Sequence, residues 1–196
     1  PVMGDDATLG ETYYTYNVSR ELGGAEGYQA GSTFKVFTLA SALNQGMTPD
    51  KEYNAPGRMQ FKGQTFRNCT GPFKFNQDYE PQNQFGQGYD TINMMRAAQQ
   101  SVNTYFLQLI RDTGICASID MAQAAGVKLA DGKDLRSMQD YPSFVLGTAD
   151  VTPLSMAEAY ATFANRGVHC DPIILESVET KDGTKVEVPS ANCKQA

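Results

Sequence analysis

The stretch AGSTFKVFTLASAL, residues 30–43, constrains the fold more than any other part of the chain. It is apolar nearly all the way round, so as a helix it has to be enclosed by other elements rather than laid on a surface. Apolar residues make up 41% of the 196 residues, including ten Phe and ten Tyr, which is ample for such a core. Yet this helix opens with Ser32 and carries Lys35 one turn later. Residues at i and i+3 share a helix face, with Cβ atoms about 5–6 Å apart.

A serine hydroxyl is a weak nucleophile until a neighbouring base takes its proton. A lysine amine is normally protonated, with a reference pKa of about 10.4, and burial lowers that value by penalising the charged form. Ser32 and Lys35 are therefore a candidate nucleophile and general base. The backbone N–H of Ser32, in the first turn, is a candidate oxyanion-hole donor. The structural alternative for S-x-x-K is an N-cap serine and a lysine whose stem lies along apolar surface. A second weak motif is Ser101-Val102-Asn103. Its structural alternative is that Ser101 or Asn103 caps the helix that follows.

Residues 12–18, TYYTYNV, read as a strand. A helix is expected from about Ser32 to Gln45, stopped by Gly46. Residues 47–89 are rich in Gly, Pro, Asn and Gln and read as a long excursion, with a short hairpin around MQFKGQTF. An excursion of that length often packs over a site. Asp90 or Thr91 could cap a helix to Gln99, and a further helix runs from Asn103 to Asp112, ending at Gly114. CASIDMAQAAG is a helix closed by Gly126. TPLSMAEAYATFANRG is a helix with Thr152 as N-cap, Pro153 at its first position and Gly167 at its end. Glu158 on that helix reads as a surface residue, and His169 beyond it as structural or solvent-exposed. PIILESVET, KDGT and KVEV form a hairpin turning at Asp182-Gly183. Helices cluster in the middle and strands towards the ends, which predicts an α+β domain with a helical subdomain rather than an alternating βαβ sheet.

The charge of −6 without a basic run excludes nucleic acid as a natural partner. No apolar segment approaches the ~18 residues of a membrane helix. Cys69, Cys116, Cys170 and Cys193 form no C-x-x-C pair and His169 is the sole histidine, so no metal site and no cofactor are expected. The scattered cysteines fit disulfides in an oxidising compartment, with buried thiols as the alternative. Cys170 and Cys193 lie beyond the two ends of the C-terminal hairpin and are the first candidate pair.

AGSTFKVFTLASAL, TINMMRAAQQSVNTYFLQL and FVLGTADVTPLSMAEAYATFANRGV together resemble the transpeptidase domain of penicillin-binding proteins, most closely the bifunctional class A type, with an actinobacterial cast. The superfamily's signature is S-x-x-K, a serine–asparagine motif and K-T-G. The resemblance implies a β-lactamase/transpeptidase-like fold: an antiparallel sheet flanked by helices, with a helical subdomain. It implies Ser32 as the nucleophile towards the penultimate D-Ala carbonyl of a peptidoglycan stem peptide and Lys35 as the base. Ser101 would relay a proton to the leaving group, and Asn103 would orient Lys35 and the substrate. It further implies D,D-transpeptidase activity through an acyl-enzyme, acylation by β-lactam antibiotics, and a place on the extracytoplasmic face of the bacterial cell membrane.

No lysine is followed by Thr-Gly or Ser-Gly; Lys181-Asp182-Gly183 and Lys62-Gly63 do not match. The expectation is that residues 1–196 are the N-terminal portion of the domain. The K-T-G strand with the second oxyanion donor, and the upstream glycosyltransferase domain, would lie elsewhere, with the rest of the domain as a partner. These residues alone would then be inactive, since losing one oxyanion donor costs about 2.7–4 kcal/mol. Ala30 stands where the family usually has Pro. A D,D-carboxypeptidase and a non-catalytic penicillin-binding or sensing module are the alternatives. A β-lactamase is disfavoured because no E-x-x-L-N follows Ser101, and a Ser-His-Asp hydrolase because there is no G-x-S-x-G.

Overall fold

The structure, a computed structural model, describes residues 2–12, 15, 17, 18 and 20–196. Tyr13, Tyr14 and Tyr16 of the expected first strand lie outside the described residues. Thr12 is in a strand, Glu11–Thr12, that runs parallel to Val2–Met3.

Among the described residues, five α-helices carry the core. They are α1 Lys35–Asn44, α2 Met94–Gln99, α3 Asn103–Thr113, α4 Ile115–Ala124 and α5 Pro153–Ala164. The Ser32 segment is tighter than expected: Gly31–Phe34 is a 3-10 turn, and α1 begins only at Lys35. Helix α3 buries side chains all round, from Thr104 through Ile110, and is the axis of the domain. Phe34 and Phe37 meet edge to face at 5.0 Å, and Phe34 meets Phe144 in the same way at 5.0 Å. Each fully buried phenylalanine contributes about 1.5–3 kcal/mol, so the 3-10 turn is pinned from below by its own Phe34. Helix α3 ends on Gly114 (φ 99), which no residue with a Cβ adopts easily.

The strands among the described residues form two-stranded ladders, antiparallel apart from Val2–Met3 with Glu11–Thr12. Tyr28–Gln29 pairs with Asp150–Val151 and ties the entrance of the Ser32 turn to the entrance of α5. Glu52–Ala55 pairs with Tyr89–Asn93 and closes the base of the excursion. This pairing corrects the expected helix start. Thr91 and Ile92 are taken into a strand, and Asn93 is the N-cap of α2, its side chain accepting from Arg96 N at 3.0 Å. The hairpin in the excursion also lies further along than expected, Thr65–Asn68 with Gly71–Lys74. Asn68 Oδ1 accepts from the N–H groups of Thr70 and Gly71, at 2.9 and 3.1 Å, and so makes the turn. Residues 59–63 run instead against 75–81, with Phe61 N donating to Tyr79 O at 2.9 Å. Phe61, Phe66, Phe75 and Tyr79 pack ring against ring there and join the main core.

Cys69 is bonded to Cys116 and Cys170 to Cys193. The first bridge fastens the excursion's turn to the start of α4, and the second clasps the C-terminal segment, where Val168–His169 pairs with Lys194–Gln195. The C-terminal hairpin is short, Val178–Glu179 with Lys185–Val186. Glu158 is not a surface residue. It is 8% exposed, and its Oε1 lies 2.6 Å from His169 Nε2, which is also buried. Gly126 lies against this pair: a Cβ there would collide with both side chains. Among the described residues, no helix is long and apolar enough to cross a membrane.

Candidate active site

Ser32, Lys35, Ser101 and Asn103 meet at one amine. Lys35 Nζ lies 3.1 Å from Ser32 Oγ, 2.9 Å from Ser101 Oγ, 2.7 Å from Ser101 O and 2.6 Å from Asn103 Oδ1. The two motifs are separated by most of α1, the excursion and α2, and packing of α1 against α3 brings them together. Lys35 is 5% exposed, and its amine stands 5.5 Å from the centre of the Phe106 ring. Burial lowers its pKa to about 8.

The four contacts can be counted against what an amine can do. The carbonyls of Ser101 and Asn103 only accept, whereas the hydroxyls of Ser32 and Ser101 can donate. A neutral amine has two N–H groups and one lone pair. As an ammonium, Lys35 can donate to three of these four oxygens at a time; as a neutral amine it can donate to the two carbonyls and accept from one hydroxyl. Both forms make three bonds, so the cluster holds either, and the neutral form is the one with a lone pair open to the Ser32 or Ser101 hydroxyl.

Local backbone chemistry sets each side chain. Ser101 N donates to Ala98 O at 3.1 Å and Val102 N to Ala97 O at 3.0 Å, the paired bonds of a Schellman stop at the end of α2. Ser101 holds the left-handed position of that stop (φ 51), a place usually filled by glycine. That conformation turns its carbonyl and its hydroxyl onto the same amine. Asn103, the first residue of α3, donates its Nδ2–H to Gln82 O at 2.8 Å, which leaves Oδ1 for Lys35. The Ser32 turn is fixed by Thr33 Oγ1 donating to Ala30 O at 2.7 Å, and by Tyr160 Oη of α5 donating to Thr33 O at 2.9 Å. Behind it, Gly31 N donates to Gly147 O at 3.1 Å.

A cavity of about 200 Å³ opens over the cluster, lined by Ser32, Lys35, Ser101, Phe106 and Tyr160 among others. A larger one, about 670 Å³, lies beside Tyr141, Ser143 and Asp150 and includes none of the four motif residues. Ala30, the departure from the family's proline, has φ −68, a value a proline ring would also impose. Sequence reasoning missed Gln82, Asn83, Gly147 and Tyr160. The only signal was the length of the excursion, which did suggest something packed over a site.

Fold and site together define an α+β domain of β-lactamase-like architecture whose candidate nucleophile is paired with a lysine. The chain belongs to the penicillin binding protein transpeptidase domain family, whose model matches residues 15–195. It is similar to penicillin-binding protein 1A of Aquifex aeolicus, 27% identical over 85% of this chain and 20% of that protein. It is also similar to the solved penicillin-binding protein A of M. tuberculosis, an imipenem acyl-enzyme complex: TM-score 0.68, 26% identity, 87% of this chain and 40% of that one. The D,D-transpeptidase domain of a peptidoglycan glycosyltransferase from Eggerthella lenta shares the fold, with TM-score 0.66 at 21% identity, over 97% of this chain and 47% of that one. The chain spans about a fifth of the length of the curated relatives it matches.

Proposed function

We propose that this chain carries the acylation site of a serine D,D-transpeptidase that cross-links peptidoglycan stem peptides and is trapped by β-lactams. The observation that carries the reading is the single amine within hydrogen-bond reach of both Ser32 Oγ and Ser101 Oγ. Neutral Lys35 takes the proton as Ser32 Oγ attacks the carbonyl of the penultimate D-Ala. The oxyanion is met by the N–H of Ser32, with a second donor supplied from outside these residues by a Lys-Thr-Gly strand. As the intermediate collapses, the carbon–nitrogen bond breaks, and the proton passes from Lys35 through Ser101 Oγ to the departing amine. An acyl ester on Ser32 remains, and the amine of a neighbouring stem attacks it, returning Ser32 and releasing the cross-link. With a β-lactam the cleaved nitrogen stays tethered, so the acyl ester blocks the site. The M. tuberculosis relatives solved as acyl-enzymes with imipenem, ceftriaxone and penicillin G support this extension.

By this reading the site works on the extracytoplasmic face of the membrane, where stem peptides are found, and residues 1–196 form the N-terminal part of the domain. The test uses the full-length protein. It should be labelled covalently by a fluorescent penicillin, lose the label in Ser32→Ala, and form cross-linked dimers from lipid-linked pentapeptide. Persistence of the label in Ser32→Ala would end the reading, and release of D-Ala without dimers would replace transpeptidation by carboxypeptidation.

A further inference from the structure

Helix α3 starts without a cap of its own. Its N-cap position is Val102, whose side chain has no acceptor, although Asn103 in the first helical position must be held accurately. The acceptor comes from the excursion instead. Asn83 Oδ1 accepts from Thr104 N at 2.9 Å and from Thr104 Oγ1 at 3.2 Å. Its Nδ2 donates to Pro56 O at 3.1 Å and to Gln87 O at 2.8 Å. All the hydrogen-bonding capacity of this amide is thereby used, and the residue is 3% exposed. Its backbone N also donates to Gly57 O at 2.8 Å.

The neighbour of Asn83 in sequence is Gln82, whose carbonyl receives Asn103 Nδ2–H. The two ends of an asparagine amide are nearly the same size, so hydrogen-bond partners decide which end points where. A backbone carbonyl can only accept. As long as Gln82 O stands there, the NH₂ end of Asn103 must face it and the oxygen must face Lys35. If Gln82 O withdrew, the amide could turn and present N–H groups to the amine.

We propose that Asn83 is a positioning residue of the acyl-transfer site: it caps α3 from the excursion and so keeps the Gln82 carbonyl on Asn103, which aims Asn103 Oδ1 at Lys35 Nζ. This inference rests on the function proposed above. It also gives the excursion, residues 47–89, a role in the chemistry without contact to the reacting atoms.

The experiment measures penicillin acylation of the full-length protein across about pH 6 to 10, together with thermal unfolding, for Asn83→Ala and Asn83→Asp. Asn83→Ala should lower the high-pH plateau by about 10²-fold, the scale of a misplacement near 1 Å. Its acid limb should move to lower pH, because Lys35 loses an acceptor that an ammonium holds more strongly than an amine does. Asn83→Asp keeps an oxygen for Thr104 N–H and loses the two donors, so it should unfold at lower temperature while its plateau stays within about threefold of the parent. An alanine variant that folds with the parental plateau and limb overturns the proposal, whatever its melting temperature. Should the alanine variant not fold, the aspartate variant decides: a plateau within about threefold of the parent supports the capping role, and any larger loss overturns it. Ser32→Ala, run alongside, separates the two levels. Loss of its label with unaffected Asn83 variants sinks only this inference, whereas a retained label sinks the functional reading itself.

Discussion

Ser101 Oγ stands 2.9 Å from Lys35 Nζ because Ser101 occupies the left-handed stop of α2, where glycine would be the unstrained choice. A residue with a Cβ costs about 1–2 kcal/mol in that conformation. Ser101→Gly should therefore stabilise the protein by about 1 kcal/mol, measured by urea unfolding. It should also slow penicillin acylation by about 10²- to 10⁴-fold, the range of a lost acid–base group. Ser101→Ala should lose the same acylation without gaining stability, since it keeps the strained backbone. A glycine variant no more stable than the alanine variant would show that the strain assigned to this turn is absent.

The depressed Lys35 pKa fixes two pH responses. On the mechanism proposed above acylation needs the neutral amine, so its rate should rise tenfold per unit as pH climbs towards about 8 and level off above it. Stability should also respond. The unfolded lysine titrates near 10.5 and the folded one near 8, so between these values the unfolded chain binds the extra proton and stability rises with pH. Tyr79, Tyr105 and Tyr53 oppose this at the upper end. Burial raises their folded pKa values above the usual 10, so the unfolded state loses those protons first and stability falls once pH passes 10. Chemical denaturation across this range should give a maximum between the two trends, and Lys35→Met should remove the rising limb alone.

What the sequence made legible was local or periodic. S-x-x-K sits on one turn, the apolar run of 35–44 announces an enclosed helix, and Thr152-Pro153 marks the start of α5 in the expected place. The Cys170–Cys193 bridge follows from a hairpin that the Asp182-Gly183 turn sets. Illegible features depend on partners distant in the chain. Nothing around Glu158 shows that a histidine from a later strand will cover it, and an acidic residue on a helix reads as surface by default. Asn83 looks like any loop asparagine until the uncapped start of α3 is placed beside it. The strand Tyr89–Asn93 was missed because its ladder partner, Glu52–Ala55, lies on the far side of the excursion.

Glu158 and His169 give a check on the buried interior. Glu158→Ala removes the partner of His169 Nε2, and His169 Nδ1 already has no protein partner. An unsatisfied buried polar group costs about 1–3 kcal/mol, and the cavity left by the side chain adds to it. Urea unfolding of Glu158→Ala should show a loss of at least that size. A change below about 0.5 kcal/mol, the range of ordinary surface substitutions, would mean that the carboxylate is solvated after all.

Gly147 packs against the turn that carries Ser32. Its φ is 68, and a Cβ built on it would collide with the backbone N, C and O of Gly31, the residue before Ser32. Backbone atoms cannot swing aside as a side chain can, so Gly147→Ala has to push the Ser32 turn away from its hydrogen bond to Gly147 O. Left-handed strain contributes about 1–2 kcal/mol and overpacking about 1–3 kcal/mol. The variant should therefore be destabilised by about 2–5 kcal/mol. Whatever folds should acylate slowly, because Ser32 Oγ moves relative to Lys35 and a displacement near 1 Å costs about 10²-fold. Gly46→Ala is the matched control. That glycine also has positive φ, 86, but nothing stands within reach of an added Cβ, so it should lose only the left-handed term and keep its acylation rate. Equal losses of acylation in the two variants would show that close contact between Gly147 and Gly31 does not set the position of Ser32.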